Sequence, residues 1–260
     1  MFAAIKRFVP LPIKVKAHEL NQLRKDNYPR IINRVRGGMP IPPGRLIFLV
    51  AGNRRADWFV ASGVRSADTI RKAAKDAGRP LESCNAILDF GCGVGRIIRH
   101  FANLKGLHGT DYNPAEIAWC RQHLTFADFQ VNTLAGGLPY ASEKFDLIYS
   151  YSVFTHLGEE LQHFWMKELF RVLRPGGLLY LTLHGERFAN DLSVEYQAAF
   201  RAGQPVVTAR EREGENACAA YHPESYVRNV LAKDFQVVEF VPCCSQGGSD
   251  QDAYMLMKPG

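Results

Sequence analysis

Apolar positions in this chain come in short runs punctuated by glycine and by stretches of helical spacing. The clearest runs from Ile87 to Phe101, ILDFGCGVGRIIRHF. Ile87-Leu88-Asp89-Phe90 predicts a buried strand. Gly91, Gly93 and Gly95 alternate after it, and glycine tolerates the positive φ of a sharp turn. Ile97, Ile98 and Phe101 then fall on one face of a predicted helix. Strand, turn and helix start make a binding turn: a ligand can lie against backbone that has no Cβ. The helix start offers free N–H groups and a positive dipole end. Leu107-His108-Gly109-Thr110-Asp111 predicts a second strand, ending in an acid. Phe129 to Asn132 predicts a third and Phe145 to Ser150 a fourth. A helix from His163 to Leu173 is stopped by Arg174-Pro175-Gly176-Gly177. The apolar run Leu178 to Leu183 reads as a fifth strand, buried on both faces. Upstream, Asp57 to Gly78 is helical in pattern, with Phe59, Ile70 and Ala74 on its apolar face. Downstream, Gly185 to Ala232 is mostly polar and interrupts the alternation. Two final strands, Phe235 to Val241 and Ala253 to Lys258, flank a loop with Gly247-Gly248. No internal repeat or low-complexity tract is present.

The spacing of the glycines discriminates among nucleotide sites. A dinucleotide fingerprint wants G-x-G-x-x-G/A, and Arg96 stands at its third position, too large for that close packing. A phosphate loop wants G-x-x-x-x-G-K-[ST], and no such Lys follows. The observed D-x-G-x-G-x-G resembles motif I of class I S-adenosylmethionine-dependent methyltransferases. Asp111, 18 residues after Gly93, can accept both ribose hydroxyls; it can also serve the next helix start, since Asn113-Pro114 follows. The order F-D-L-I-Y, helix, L-R-P-G-G-L-L is a further signature of that family, and the resemblance covers about Ala86 to Leu183. It implies an α/β fold: a Rossmann-like, doubly wound, seven-stranded, mostly parallel sheet with an antiparallel last strand, plus an N-terminal helical extension. It implies S-adenosylmethionine as cofactor and S-adenosylhomocysteine as product. The cofactor positions it implies are Asp89, Gly91, Cys92, Gly93, Gly95, Arg96, Asp111, Tyr112, Asn132, Thr133 and Ser150. Among these, Asp89 orients the turn or the cofactor's amino group, Arg96 faces its carboxylate, and Asn132 and Thr133 approach adenine. The predicted domains are a basic extension with cap helices over 1–80 and a catalytic domain over 81–260, with a substrate-side insert at about 185–232.

Methyl transfer is an in-line displacement, so alignment supplies much of the rate. An oxygen acceptor must also lose a proton to a base. Histidine suits that role near neutral pH, and three histidines stand in segments expected to face the site: His156 first, then His222, then His184. Tyr151, Tyr221 and Tyr226 are the candidate acceptor contacts. No [DN]-P-P-[YF] follows the fourth strand, which argues against amino-methyltransferases of adenine or glutamine. No acidic cluster suggests a catechol-type magnesium site, so no metal is expected. The segments S-V-F-T-H-L, Y-H-P-E-S-Y-V and Q-D-A-Y-M-L-M-K-P resemble a bacterial methyltransferase group associated with cell-surface glycan assembly. The expected acceptor is therefore a hydroxyl on a small molecule or glycan precursor. Two rivals stay open: an RNA methyltransferase, and a non-catalytic module that binds the cofactor or its product.

Charge changes one part of this picture. The net charge of +6 is uneven: residues 1–60 carry 12 Lys and Arg against 3 Asp and Glu, and residues 61–260 carry 20 against 23. The basic segment suits an anionic partner, whether phosphorylated glycan precursor, acidic lipid surface or nucleic acid; a solvated helical arm explains it equally. No RNA-binding motif is interleaved with it, so nucleic acid is not expected. The six cysteines form no C-x-x-C pair and no metal-ligand spacing, which predicts free thiols and a reducing, cytoplasmic setting. No apolar run reaches the roughly 18 residues of a membrane span, and Pro10 and Pro12 interrupt the basic start, which reads as neither signal nor span.

Overall fold

The computed structural model describes residues 38–243 and 251–260. Most of the basic preface, Cys244 and the Gly247-Gly248 pair therefore lie outside the described residues. The chain divides into two compact units, residues 1–60 and 61–260.

In the first unit, helix α1 (Gly44–Ala51) buries Leu46 and Ile47 and ends where Gly52 turns left-handed, at φ 63°. Asn53 Oδ1 then accepts from Arg55 N, and helix α2 (Ala56–Asp76) begins. The predicted apolar face of α2 is present: Phe59, Ile70 and Ala74 are all fully buried.

The second unit is built on seven strands in the order β3-β2-β1-β4-β5-β9-β8. They are β1 (Ile87–Phe90), β2 (Leu107–Asp111), β3 (Asp128–Val131), β4 (Phe145–Ser150), β5 (Leu173–Leu183), β8 (Gln236–Val241) and β9 (Asp252–Met257). β1 to β5 run parallel, while β9 is antiparallel to both of its neighbours, β5 and β8. β1 and β4 are buried at every residue, as central parallel strands are, although each carries an aspartate, Asp89 and Asp146. The outermost strands are more open: β3 mixes exposed and buried positions, and β8 alternates exposed with half-buried ones. Helix α3 (Pro114–His123) starts at Asn113, whose Oδ1 accepts from Ala115 N, with Pro114 in its first turn. Helix α4 (Glu159–Val172) follows β4, and its Trp165, Met166 and Leu169 enter the main core beside Leu88, Ile148 and Leu179. Buried Lys258 closes that helix by donating to Phe170 O and Leu173 O.

Two expectations change. The segment after the glycine turn is not an α-helix: turns lead into a 3₁₀ helix over Ile98–Phe101. Gly91, Gly93 and Gly95 all have positive φ, at 77°, 52° and 70°, so the backbone reaches helical geometry only after residue 95. Helix α4 starts four residues earlier than predicted, at Glu159, whose acid and that of Glu160 favour a helix N-terminus. The mostly polar stretch after β5 does interrupt the alternation of strand and helix, as its pattern predicts. It holds helices α5 (Glu186–Ala189) and α6 (Val194–Arg201), the hairpin β6 (Val206–Thr208)–β7 (Ala219–Tyr221), and helix α7 (Glu224–Tyr226), which continues as a π-turn over Val227–Leu231. Ala189, Phe200 and Val206 form a small core of its own.

Candidate active site

The strand order reverses direction at β1, which has β2 on one side and β4 on the other. Ligands of open α/β sheets bind beyond the carboxyl ends of the strands at such a point. The glycine turn is clamped there: Gly91 N and Cys92 N both donate to Thr110 O at 2.9 Å. A Cβ at Gly91 would overlap Val153 Cγ2, and one at Gly95 would overlap Leu124 Cδ1. Gly93 N donates to Asp111 Oδ2 at 2.9 Å, and Asn113 N donates to Oδ1 at 2.9 Å. Asp111 thus braces the turn from the end of β2 and also holds the start of α3. Burial pushes its carboxyl up, and backbone N–H donors led by Asn113 and Gly93 pull it back. Glu116, one turn along α3, is driven to about 9 by burial and by Asp111. It is therefore protonated at neutral pH, a neighbour that sequence reasoning missed.

Around this turn, several buried polar atoms have no hydrogen-bond partner among the described residues: Asp89 Oδ2, Thr110 Oγ1, Glu116 Oε1, Asn132 Oδ1 and Ser150 Oγ. They come from the ends of β1, β2 and β4, the start of α3 and the residue after β3. Buried polar atoms are nearly always paired in native proteins, so a group of orphans at one edge marks a place for a polar ligand. Burial lifts Asp89 to about 7, with Tyr149 and Arg96 acting against it. Arg96 donates to Ser66 Oγ at 3.1 Å and lies 5.2 Å over the Tyr151 ring. Cys92 is buried beneath the turn, its thiol pushed well up by burial and by Cys120. Thr133 is exposed, and Tyr112, half-exposed, donates from its hydroxyl to Gly214 O at 2.8 Å.

The three histidines are drawn together, but not equivalently. His156 Nδ1–H donates to Cys218 O at 2.8 Å. A carbonyl only accepts, so the neutral ring keeps its lone pair on Nε2. Burial lowers its pKa, and the ring is half-buried. His184 lies edge-on to it, with centroids 6.5 Å apart, and packs on Phe188 and Tyr221. Burial, then the neighbouring His156, take it to about 4. His222 is part of the interior. Gln162 donates its amide to Phe154 O and Leu157 O, so its Oε1 accepts from His222 Nε2–H at 3.0 Å. Burial holds His222 at about 3. Tyr226 likewise stands in the main core, its hydroxyl against Glu159 and His163. Both belong to a segment expected to face the site, but their side chains bond inward to partners more than 50 residues away in the chain.

Two features without a sequence signal complete the edge. Ser152, just after β4, has a positive φ of 60°, and its strained turn is held by a buried network. Ser152 N donates to Thr182 Oγ1, Thr182 donates to Gln251 Oε1, and Gln251 donates to Ser152 Oγ, all within 2.8 Å. Residues 213–218 form a strap across the strand ends. Gly214 accepts from Tyr112 after β2 and donates to His156 O after β4, and Glu213 accepts from Gly158 N. Among the described residues, no group of three or more His, Cys, Asp or Glu is arranged to hold a metal ion. No helix there is long and apolar enough to cross a membrane.

Comparison with known proteins agrees with this geometry. Residues 88–181 match the methyltransferase domain family. The chain is 32% identical over 138 residues to trans-aconitate 2-methyltransferase of Delftia acidovorans, covering 50% of each chain. It is 34% identical over 140 residues to malonyl-[acyl-carrier protein] O-methyltransferase of Enterobacter lignolyticus, covering 53% of this chain and 51% of that one. The chain thus spans about half the length of these relatives. Among solved structures, the 1,6-didemethyltoxoflavin-N1-methyltransferase of Burkholderia thailandensis, with S-adenosylhomocysteine bound, superposes with TM-score 0.53 at 17% identity. The match covers 76% of this chain and 79% of that one. An S-adenosylmethionine-dependent methyltransferase of Methanosarcina mazei gives 0.51 at 20% identity, over 67% and 92%.

Proposed function

We propose, on the premise that residues 88–181 are a class I S-adenosylmethionine-dependent methyltransferase domain, that this chain moves a methyl group from that cofactor to a hydroxyl of a small molecule or glycan precursor. One observation carries the reading: Asp111, at the end of β2, reaches the backbone of a positive-φ glycine turn through Gly93 N. The orphaned oxygens of Asp89, Asn132 and Ser150 surround that pair, and the set suits an adenosyl amino acid. Asp111 has lone pairs left for two ribose hydroxyls, Asn132 Oδ1 can accept from the adenine amino group, and Asp89 can meet the ammonium end.

When bound, the cofactor supplies an electrophilic methyl carbon on a sulfonium. The leaving group is neutral, so the protein needs no oxyanion hole. It must line up the acceptor and take its proton. His156 is suited to the second task, since its Nδ1–H is committed to Cys218 O and its Nε2 is a free base at neutral pH. The insert at about 185–232 forms the acceptor side of domain 81–260, with Tyr221 and His184 on its wall. Relatives named for O-methyl transfer, on malonyl-acyl carrier protein and in ubiquinone biosynthesis, support an oxygen acceptor.

Calorimetric titration with S-adenosylmethionine, S-adenosylhomocysteine and NAD tests the reading. Micromolar binding of the first two without NAD is the expected result. Absence of adenosyl binding would refute it.

A further inference from the structure

β9 runs antiparallel to β5, so it begins at the edge where β5 ends: Asp252 pairs with Leu183. Its entry residue, Gln251, therefore stands at the carboxyl rim of the sheet, although it is 69 residues beyond Thr182. Gln251 is buried, as are Thr182 and Thr155. The hydrogen bonds among them run in one direction. Ser152 N donates to Thr182 Oγ1 at 2.8 Å, Thr182 donates to Gln251 Oε1 at 2.7 Å, and Gln251 Nε2 donates to Ser152 Oγ at 2.7 Å. Thr155 Oγ1 donates to Ser152 O at 3.0 Å, so its lone pair takes the Ser152 hydroxyl proton at 3.1 Å. The backbone N–H, the carbonyl and the hydroxyl of Ser152 are thus all committed. A non-glycine residue at φ 60° persists where its surroundings over-determine it, and this ring of bonds does so. An amide is the group that can accept from a threonine with one end and donate to a serine with the other. What the ring holds is the loop that carries His156. Val153 packs on the glycine turn, so close that a Cβ on Gly91 would overlap it. His156 N donates to Val153 O at 2.9 Å in the 3₁₀ turn Phe154–His156, and the His156 ring donates to Cys218 O. Stability alone does not call for this ring, because apolar groups of the same shape in place of a buried hydrogen-bonded pair are nearly neutral. A fully satisfied buried network instead fixes one arrangement.

We infer that Gln251 is a positioning residue for His156: through Ser152 and Thr155 it sets the 3₁₀ turn that aims the ring at Cys218 O and leaves Nε2 as the base. The inference rests on the methyltransferase reading and adds to its machinery a residue from the entry of the last strand. The Gln251 amide acts through its neighbours, so it orients the base and takes no proton itself.

The test reads the ring rather than turnover. Long-range proton–nitrogen correlation spectra of the histidine side chains, on the full chain at neutral pH, distinguish an Nδ1–H ring from an Nε2–H ring, and His156→Ala identifies the signal. Wild type should show His156 wholly as the Nδ1–H tautomer. Gln251→Met, close in length but without the amide, should lose that single form and give a mixture. Thr182→Ser keeps the hydroxyl and should keep the wild-type signal. A mixture in wild type, or an unchanged His156 signal in Gln251→Met, overturns the inference; an equal change in Thr182→Ser would assign the effect to packing and overturn it too. If Gln251→Met does not fold, Ser152→Gly decides: glycine accepts the positive φ and removes only the hydroxyl, so an unchanged signal there overturns the inference. S-adenosylhomocysteine affinity is measured by calorimetry on the same samples. It should stay within about threefold of wild type in Gln251→Met; a larger loss would put the network in the service of the glycine turn instead of the base, and overturn the inference. Failure of wild type to bind that product would remove the methyltransferase reading, while the tautomer result stands or falls by itself.

Discussion

Asp111 joins two elements through one carboxylate, one oxygen to Gly93 N and the other to Asn113 N. Charge-assisted hydrogen bonds are worth about 1.5–3 kcal/mol, so Asp111→Ala should weaken S-adenosylhomocysteine binding by about tenfold or more in calorimetry. Unchanged affinity would remove the ribose assignment. His156 makes a different kind of prediction. His156→Ala should leave product affinity intact and lower kcat. The base form is the neutral ring, and its pKa lies below the ordinary 6.5. Activity that depends on it is therefore present at neutral pH and lost on acidification below 6.5. A kcat/KM profile whose acid limb sits above that value would move the base elsewhere. His222 shows why such roles were only half legible in the sequence: a Tyr-His-Pro string in a polar stretch gives no hint of Gln162, 60 residues earlier. His156 carries no such signal either, and its tautomer is fixed by a carbonyl 62 residues later.

At the scale of elements, the glycine turn and the loop after β4 interlock. Gly91→Ala would drive its Cβ into Val153 at a φ that side chains rarely adopt. It should abolish cofactor binding, and adding Val153→Ala should restore part of it; no recovery would show that backbone strain alone is responsible. The start of α3 holds a second test. Glu116 stays protonated in the folded chain up to about pH 9 but ionises near 4.5 when unfolded, so it costs stability between those values as pH rises. Glu116→Gln removes that cost. It should raise Tm by a few degrees at pH 8 and give no gain at pH 4; equal shifts at both would contradict the assignment. Elements were legible where burial on both faces wrote a mainly apolar run, broken only by Asp89 in Ile87–Phe90 and by Asp146 and Ser150 in Phe145–Ser150, whose predicted limits coincide with the strands. They were not legible where backbone geometry overrode side-chain pattern. Ile97, Ile98 and Phe101 have helical spacing, yet three positive-φ glycines leave room for only a 3₁₀ turn.

For the whole molecule, the buried titratable groups set a pH optimum. Above about pH 7.5 the buried histidines His100, His108, His156, His184 and His222, whose pKa values burial lowers, are neutral both folded and unfolded. The raised carboxyls of Asp89, at about 7, and Glu116, at about 9, then hold protons that the unfolded chain has lost. Stability should therefore fall as pH rises from about 7.5 toward 9, and Cys84, driven by burial to about 11, adds the same sign at the upper end. Urea midpoints at pH 7.5 and 9 check this, and a higher midpoint at 9 would contradict it. The strap at residues 213–218 bears on time rather than energy. Its Gly214 joins Tyr112 to His156 across the strand ends, so whatever lies beneath leaves only after those two bonds part. On the methyltransferase reading proposed above, slow departure of the spent cofactor past this strap is the expected outcome, checked by rapid mixing. The first turnover after rapid mixing should run ahead of all that follow.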